Sequence, residues 1–244
     1  MLSYDSPLSV SGPSPASAPT LSATRQSIPS SPKTVRLTSP GLSTGAVSSS
    51  VAAAAGKPPI KDRHIWLVTG PAGCGKSTVA QYLASALHLP YIEGDEYHPQ
   101  ANIDKMAAGI PLTDADRWDW LTALREASIQ ELDEGNAGVV LTCSALKRKY
   151  RDVIRVAPYF MPDIHLHFIF LHAPEEVLLK RVLARQNHYM GANMVHSQFD
   201  ILEPPTARES DVIAIDVSRP ADVVMAEALD RVLNTMDGVR ASSQ

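Results

Sequence analysis

Covalent cross-links do not hold this chain together. Its 244 residues include two cysteines, Cys74 and Cys143, too few for a disulfide framework, and that scarcity points to a reducing compartment. Long apolar runs are missing as well: no stretch approaches the ~20 residues that a membrane-spanning helix needs. Nor is there an excess of positive charge. The formal net charge of −4 excludes an extended basic surface for nucleic acid or anionic lipid and leaves a small soluble molecule as the expected partner. Aromatic side chains make up 6% of the sequence and are nearly absent from residues 1–57. That segment is rich in Ser, Pro, Ala and Thr and lacks the apolar surface to offset the entropy of ordering it, which predicts a disordered tail. Its Ser-rich composition, with Arg25, Lys33 and Arg36 against the single acid Asp5, is that of a transit peptide. Six prolines between Pro7 and Pro32 break the amphipathic helix such a peptide needs, so a cytoplasmic tail is the expectation, followed by one folded domain over 58–240.

What the chain does contain is a phosphate-binding loop. Gly70-Pro71-Ala72-Gly73-Cys74-Gly75-Lys76-Ser77-Thr78 stands between the apolar run Ile65-Trp66-Leu67-Val68 and a helical run ending near Leu87. A strand that ends in glycines lets the backbone turn tightly and aim its N–H groups inward, and the next helix puts its positive end on the same spot. A nucleotide polyphosphate is the natural occupant, with Lys76 on the β- and γ-phosphates and the Ser77 hydroxyl on a magnesium ion. Cys74 reads as a small filler of the loop rather than a redox group.

Downstream, short apolar runs alternate with helical patterns. Strands are expected at His64–Thr69, Tyr91–Glu93, Val139–Thr142, Ile164–Leu171 and Asp211–Ile215. Helices are expected at Ser77–Leu87, Asn102–Ala108, from an N-cap within Thr113–Asp116 to about Gly135, at Ala145–Val156, Pro174–Ala184 and Ala221–Met236, with a polar loop over Arg185–Arg208. Such alternation predicts an α/β fold, a parallel sheet covered by helices on both faces. Sites in such sheets lie at the carboxyl ends of the strands, where Gly70, Asp95 and Ser144 would converge on one cleft. His165 and His167 share one face of their strand, and without a third ligand a structural role is expected for both.

Several pieces together identify a family. Besides GPAGCGKST they are Gly94-Asp95-Glu96-Tyr97-His98-Pro99, Asn102-Ile103-Asp104-Lys105-Met106, Pro111-Leu112-Thr113-Asp114, Asp116-Arg117-Trp118, Cys143-Ser144-Ala145-Leu146-Lys147, Ser197-Gln198-Phe199 and Leu202-Glu203-Pro204-Pro205. The combination resembles the gluconokinases, P-loop sugar-acid kinases of the shikimate-kinase-like kind, over His64 to about Val217. The resemblance implies a three-layer P-loop kinase fold with a five-stranded parallel sheet and a mobile lid at about 185–208. It also implies ATP-dependent phosphorylation of D-gluconate to 6-phospho-D-gluconate, which feeds the pentose phosphate pathway, and a homodimer. A kinase of the same build acting on another sugar acid or on shikimate, and a nucleotide-binding regulator without turnover, are the alternatives.

Residue chemistry assigns roles within that frame. Asp95 takes the proton of the attacking hydroxyl or orients it, unless it serves as an N-cap for the next helix. His98 either contacts the sugar chain or packs at a helix start. A substrate carboxylate favours arginine, whose planar fork gives two parallel charge-assisted bonds. Arg117 is the first candidate, and Lys147 with Arg151, four residues apart on one helical face, the second, although a solvated surface position is expected for Arg151. Arg181 and Arg185 lead into the lid, Arg181 toward the nucleotide and Arg185 as a catalytic cation over the transferring phosphoryl group. Asn187 stands before His188 where the family pattern has glycine, and asparagine tolerates the positive φ such a turn uses. The third strand ends in Thr142-Cys143 without an acid, so magnesium would rest on Ser77, the phosphates and water, with Asp95 as a helper.

Overall fold

The computed structural model describes residues 62–184 and 192–242. The expected tail over 1–57, Arg185, Asn187 and His188 lie outside the described residues. Chain order runs β1 (Arg63–Thr69), α1 (Lys76–Leu87), β2 (Tyr91–Ile92), α2 (Gln100–Ala107), α3 (Trp118–Asp133), β3 (Gly138–Thr142), α4 (Arg148–Ile154) and α5 (Val156–Phe160). It continues through β4 (Ile164–His172), α6 (Glu175–Leu183), α7 (Ala192–Asp200), β5 (Val212–Asp216) and α8 (Ala221–Ser242). All five strands are parallel, in the order β2-β3-β1-β4-β5.

The period-two alternation of β1 decides which helices cover which face. Ile65 and Leu67 point to one side, where they meet Leu121, Leu124 and Leu132 of α3 and Tyr150 and Ile154 of α4. Trp66 and Val68 point to the other, onto Val79, Ala80 and Leu83 of α1, Leu178 of α6 and Val224, Ala228 and Val232 of α8. The central strands are therefore apolar throughout, as a sheet buried on both faces requires. No helix among the described residues is long and apolar enough to cross a membrane.

Beyond shifts of a few residues at element ends, three sequence expectations need correction. The stretch over Arg185–Arg208 is not all loop: Ala192–Asp200 forms α7, which packs Val195 and Phe199 against Ala72 and Val182. Thr113–Asp116 does not cap α3 through a side chain. Asp116 instead accepts the Thr113 N–H at 2.9 Å and the Lys105 ammonium at 2.6 Å, and a 3₁₀ turn over Ala115–Arg117 feeds the helix. The helix after Ser144 starts late, at Arg148, and breaks at Arg155 into α4 and α5. The strand histidines have the structural setting expected of them: His167 stacks on Trp66 at 4.3 Å between ring centres, His64 lies 3.3 Å from the His167 ring nitrogen, and His165 meets Asp62 at 3.2 Å.

Candidate active site

The phosphate loop leaves β1 through Gly70, whose φ of 139° lies outside what side-chain-bearing residues adopt, and a Cβ there would stand 2.3 Å from the Leu171 carbonyl oxygen. Lys76, the first residue of α1, folds back to donate to the Gly70 and Pro71 carbonyls at 3.1 and 3.2 Å. Cys74 is buried, and burial pushes its thiol up, so it is a packing residue and not a thiolate. Beside the loop, a cavity of about 240 Å³ is bounded by Gly73, Gly75, Thr78, Arg181, Val217 and Met225. Arg181 donates to the Val217 carbonyl at 2.6 Å, which fixes the guanidinium at that cavity's edge.

An acid stands beside Ser77 after all, though not on β3. Glu93, just beyond β2, accepts hydrogen bonds from the Thr142 hydroxyl and the Tyr91 phenol, with the Ser77 hydroxyl near enough to favour its ionised form. Burial raises its carboxyl, but those two bonds, the neighbouring Ser77 hydroxyl and the Lys76 charge outweigh burial and hold it below its usual value. Ser77 and an ionised Glu93 make a set of hard oxygen donors that fits magnesium. The signal for Glu93 was present in the sequence as the acid directly before Gly94-Asp95, but only strand pairing brings β2 next to β3 and so to Ser77.

A second cavity of about 220 Å³ opens at Lys76, lined also by Asp95, His98, Leu112, Arg117, Ser144 and Gln198 among others. Its volume is below the ~300–1,000 Å³ of drug-sized ligand sites, which suits a small metabolite. Asp95 lies in a 3₁₀ turn, Gly94–Tyr97, that is braced from below. Trp120 donates its indole N–H to the Gly94 carbonyl at 2.7 Å, and the Gly94 N–H donates to the Thr142 hydroxyl at 2.9 Å. A Cβ on Gly94 would stand 1.9 Å from the Thr142 carbonyl oxygen, so this approach requires glycine. The N-cap position of α2 is Pro99, which removes the capping role as an explanation of Asp95. His98 stacks on Trp120 at 4.0 Å, and burial together with the Arg117 charge lowers its pKa to about 4, so it is neutral at physiological pH.

Arg117 is 8% exposed, donates from Nη2 to the Leu112 carbonyl at 3.2 Å, and lies over the Tyr150 ring at 5.4 Å. Its Nε is buried with no hydrogen-bond partner. Lys147 does not reach this cavity's lining; its ammonium pairs with Asp114 at 3.0 Å. Asp114 also takes Lys149 and the Tyr150 hydroxyl, contacts that hold its carboxyl well below the usual range. Arg151 is not on the surface: at 1% exposure it makes a two-bond fork with Glu209 at 2.8 Å and donates to the Ala145 and Glu203 carbonyls at 3.2 and 3.1 Å. With the Glu203 N–H donating to the Leu146 carbonyl at 2.9 Å, it fastens the chain beyond α7 to the turn that carries Ser144. Asp95, His98 and Arg117 thus meet in one cavity with Lys76, and Arg181 joins the loop in the other.

Comparison with known proteins agrees with this geometry. The AAA domain family matches residues 67–199. A probable gluconokinase of Schizosaccharomyces pombe is 52% identical over 171 residues, covering 70% of this chain and 88% of the relative. The thermoresistant gluconokinase of Escherichia coli is 38% identical over 169 residues, 69% of this chain and 93% of that one. Among solved structures, a gluconokinase from Sinorhizobium meliloti superposes with a TM-score of 0.65 at 38% identity, covering 76% of this chain and 99% of its own.

Proposed function

This chain belongs to the gluconokinase family, so the activity it carries is phosphorylation of gluconate by ATP, and we propose that the residues of the two cavities perform it as follows. The Arg117 guanidinium takes the gluconate carboxylate, His98 accepts or donates at a hydroxyl of the sugar chain as a neutral imidazole, and the terminal hydroxyl lies toward Asp95 and Lys76. The Asp95 carboxylate accepts the hydroxyl proton as that oxygen attacks the γ-phosphorus. The bond from the γ-phosphorus to the bridging oxygen breaks, and ADP leaves with the electron pair while 6-phosphogluconate forms. Lys76 trades the Gly70 and Pro71 carbonyls for phosphate oxygens, and the ionised Glu93 holds the Ser77 hydroxyl in place. Ser77, with Glu93 behind it, would hold magnesium, whose chemistry there would be charge neutralisation on the phosphates. Arg181 borders the nucleotide, and Arg185, four residues on in sequence, is the proposed lid cation over the transferring group.

The observation that carries this reading is Arg117, a buried cation with an unpartnered Nε, in the same cavity as Asp95 and Lys76. A buried unpaired donor costs about 1–3 kcal/mol, a cost that an anionic ligand removes. ADP release is to be measured with MgATP and D-gluconate, D-glucose or shikimate, on wild type and Arg117→Met. Turnover with D-gluconate alone, and a KM for gluconate raised about 10–100-fold in the variant with little change in the KM for ATP, is the expected result. An unchanged gluconate KM in Arg117→Met would remove Arg117 from carboxylate binding.

A further inference from the structure

Gln198, on α7, has no part in the chemistry above, yet its side chain makes a contact that few residues can. Its Oε1 accepts the backbone N–H of Ala72, in the middle of the phosphate loop, at 2.7 Å, and both groups are buried. Ala72 also touches Val195 of the same helix in a small apolar cluster completed by Val182, Leu179 and Phe199. The acceptor cavity, in turn, takes Ser197, Gln198, Asp200 and Ile201 as one of its walls. A single turn and a half of helix therefore grips the nucleotide's loop with one edge and walls the sugar acid's cavity with the other.

We propose that Gln198 is a positioning residue that couples the two substrates: through the Ala72 N–H it sets the α7 wall of the acceptor cavity according to the state of the phosphate loop. The physical basis is the directionality of this one bond. Phosphates draw the loop's N–H groups into a fixed inward arrangement. The Ala72 N–H is then aimed at one place, and an acceptor on α7 is held there with the helix behind it. At the far end α7 cannot follow freely. The chain after it is fastened by the Glu203 N–H on the Leu146 carbonyl and by the buried Arg151–Glu209 pair. Order gained at the loop is therefore passed to Ser197, Asp200 and Ile201 rather than dissipated, and gluconate meets a finished cavity. By reciprocity gluconate must tighten the nucleotide by the same factor.

This inference rests on the gluconate reading, and its test separates the two. Gluconate binding is measured by calorimetry with and without the magnesium complex of a non-hydrolysable ATP analogue, on wild type, Gln198→Met and Gln198→Glu, each confirmed folded by its melting curve. Methionine keeps the length and apolar stem of glutamine but accepts no strong hydrogen bond, whereas glutamate keeps the acceptor. In wild type the analogue is expected to tighten gluconate by about tenfold, within the roughly 5–150-fold typical of coupled sites. In Gln198→Met the factor falls below about twofold, whatever the variant's affinity for gluconate alone, and Gln198→Glu recovers coupling above the Met variant. A Met variant that retains wild-type coupling, or Met and Glu variants that lose it equally, overturns the inference and leaves the gluconate reading intact. Wild type that binds gluconate with no effect of the analogue does the same. Wild type that binds no gluconate at all overturns both.

Discussion

The phosphate loop and the acceptor cavity share Lys76 and are built on opposite principles. The loop is nine consecutive residues, and the direction of its backbone N–H groups follows from three glycines at positive φ, Gly70, Gly73 and Gly75, and a helix start. The cavity draws Asp95, Arg117, Ser144 and Gln198 from four separate segments. Three of them are held by groups from elsewhere: the Trp120 indole on the Gly94 carbonyl beneath Asp95, the Leu112 carbonyl and the Tyr150 ring around Arg117, and the Arg151–Glu209 pair behind the turn of Ser144. A backbone-made site depends on few side-chain identities. A site made of side chains inherits the stability of every strut beneath it.

That contrast can be broken most forcefully at Asp95. Asp95→Asn keeps size and removes the proton acceptor, so kcat should fall about 10²–10⁴-fold with the KM for ATP little changed. An ATP KM that rises in step with the loss would mean that the two cavities are not separable. Next comes a strut remote from both substrates. Arg151→Met removes the two-bond partner of the buried Glu209 and leaves Arg155, at 2.7 Å, as its remaining cation, so the loss should fall short of the roughly 3–5 kcal/mol of a fully unpaired charge, at about 2–3 kcal/mol or roughly 4–12 °C in Tm for a domain of this size. Calorimetric melting checks it, and a Tm within two or three degrees of wild type would show that the acceptor side does not lean on this pair. A smaller effect is expected at the joint between the regions. Glu93→Gln keeps an acceptor for Thr142 but loses the charge beside Ser77, so the magnesium needed for half-maximal rate should rise about 10–100-fold while the gluconate KM stays put. A magnesium titration superimposable on wild type would place the metal's support elsewhere.

The gentlest probe is acid. His98 is pushed down to about 4 by burial and the Arg117 charge, and His167 to about 4 by burial and the charges of His64 and His165. Below about pH 6.5 the unfolded chain binds protons at these positions that the folded chain refuses, so stability declines as pH falls from about 6.5 to about 4 and no further on their account. Replacing His98 by Gln should flatten the upper part of a Tm-against-pH curve by a few degrees, and Gln at His167 should do the same independently. Since His98 lines the acceptor cavity and His167 lies in the sheet's opposite layer, additivity of the two would confirm that they titrate apart.

The sequence by itself determined the phosphate loop, the alternation of strands and helices, and through its motifs the family. Each of these is a local pattern: glycines at the turn, apolar residues at period two in β1, a lysine and serine opening α1. Asp95, His98 and Arg117 were legible for a related reason, because strand ends and short motifs place them near the carboxyl edge of the sheet. Tertiary structure alone decided what depends on elements distant in sequence. Strand order set β2 beside β3 and so gave Ser77 an acidic neighbour in Glu93, although β3 itself carries no acid at its end. It buried Arg151, whose i,i+4 spacing from Lys147 is the same on a solvated face as on a covered one, because its partner Glu209 lies 58 residues away. It turned part of an apparently polar loop into α7 and aimed Gln198 at the Ala72 N–H, a contact spanning 126 residues. Periodicity reports which face of an element is covered; only the packed fold says by what.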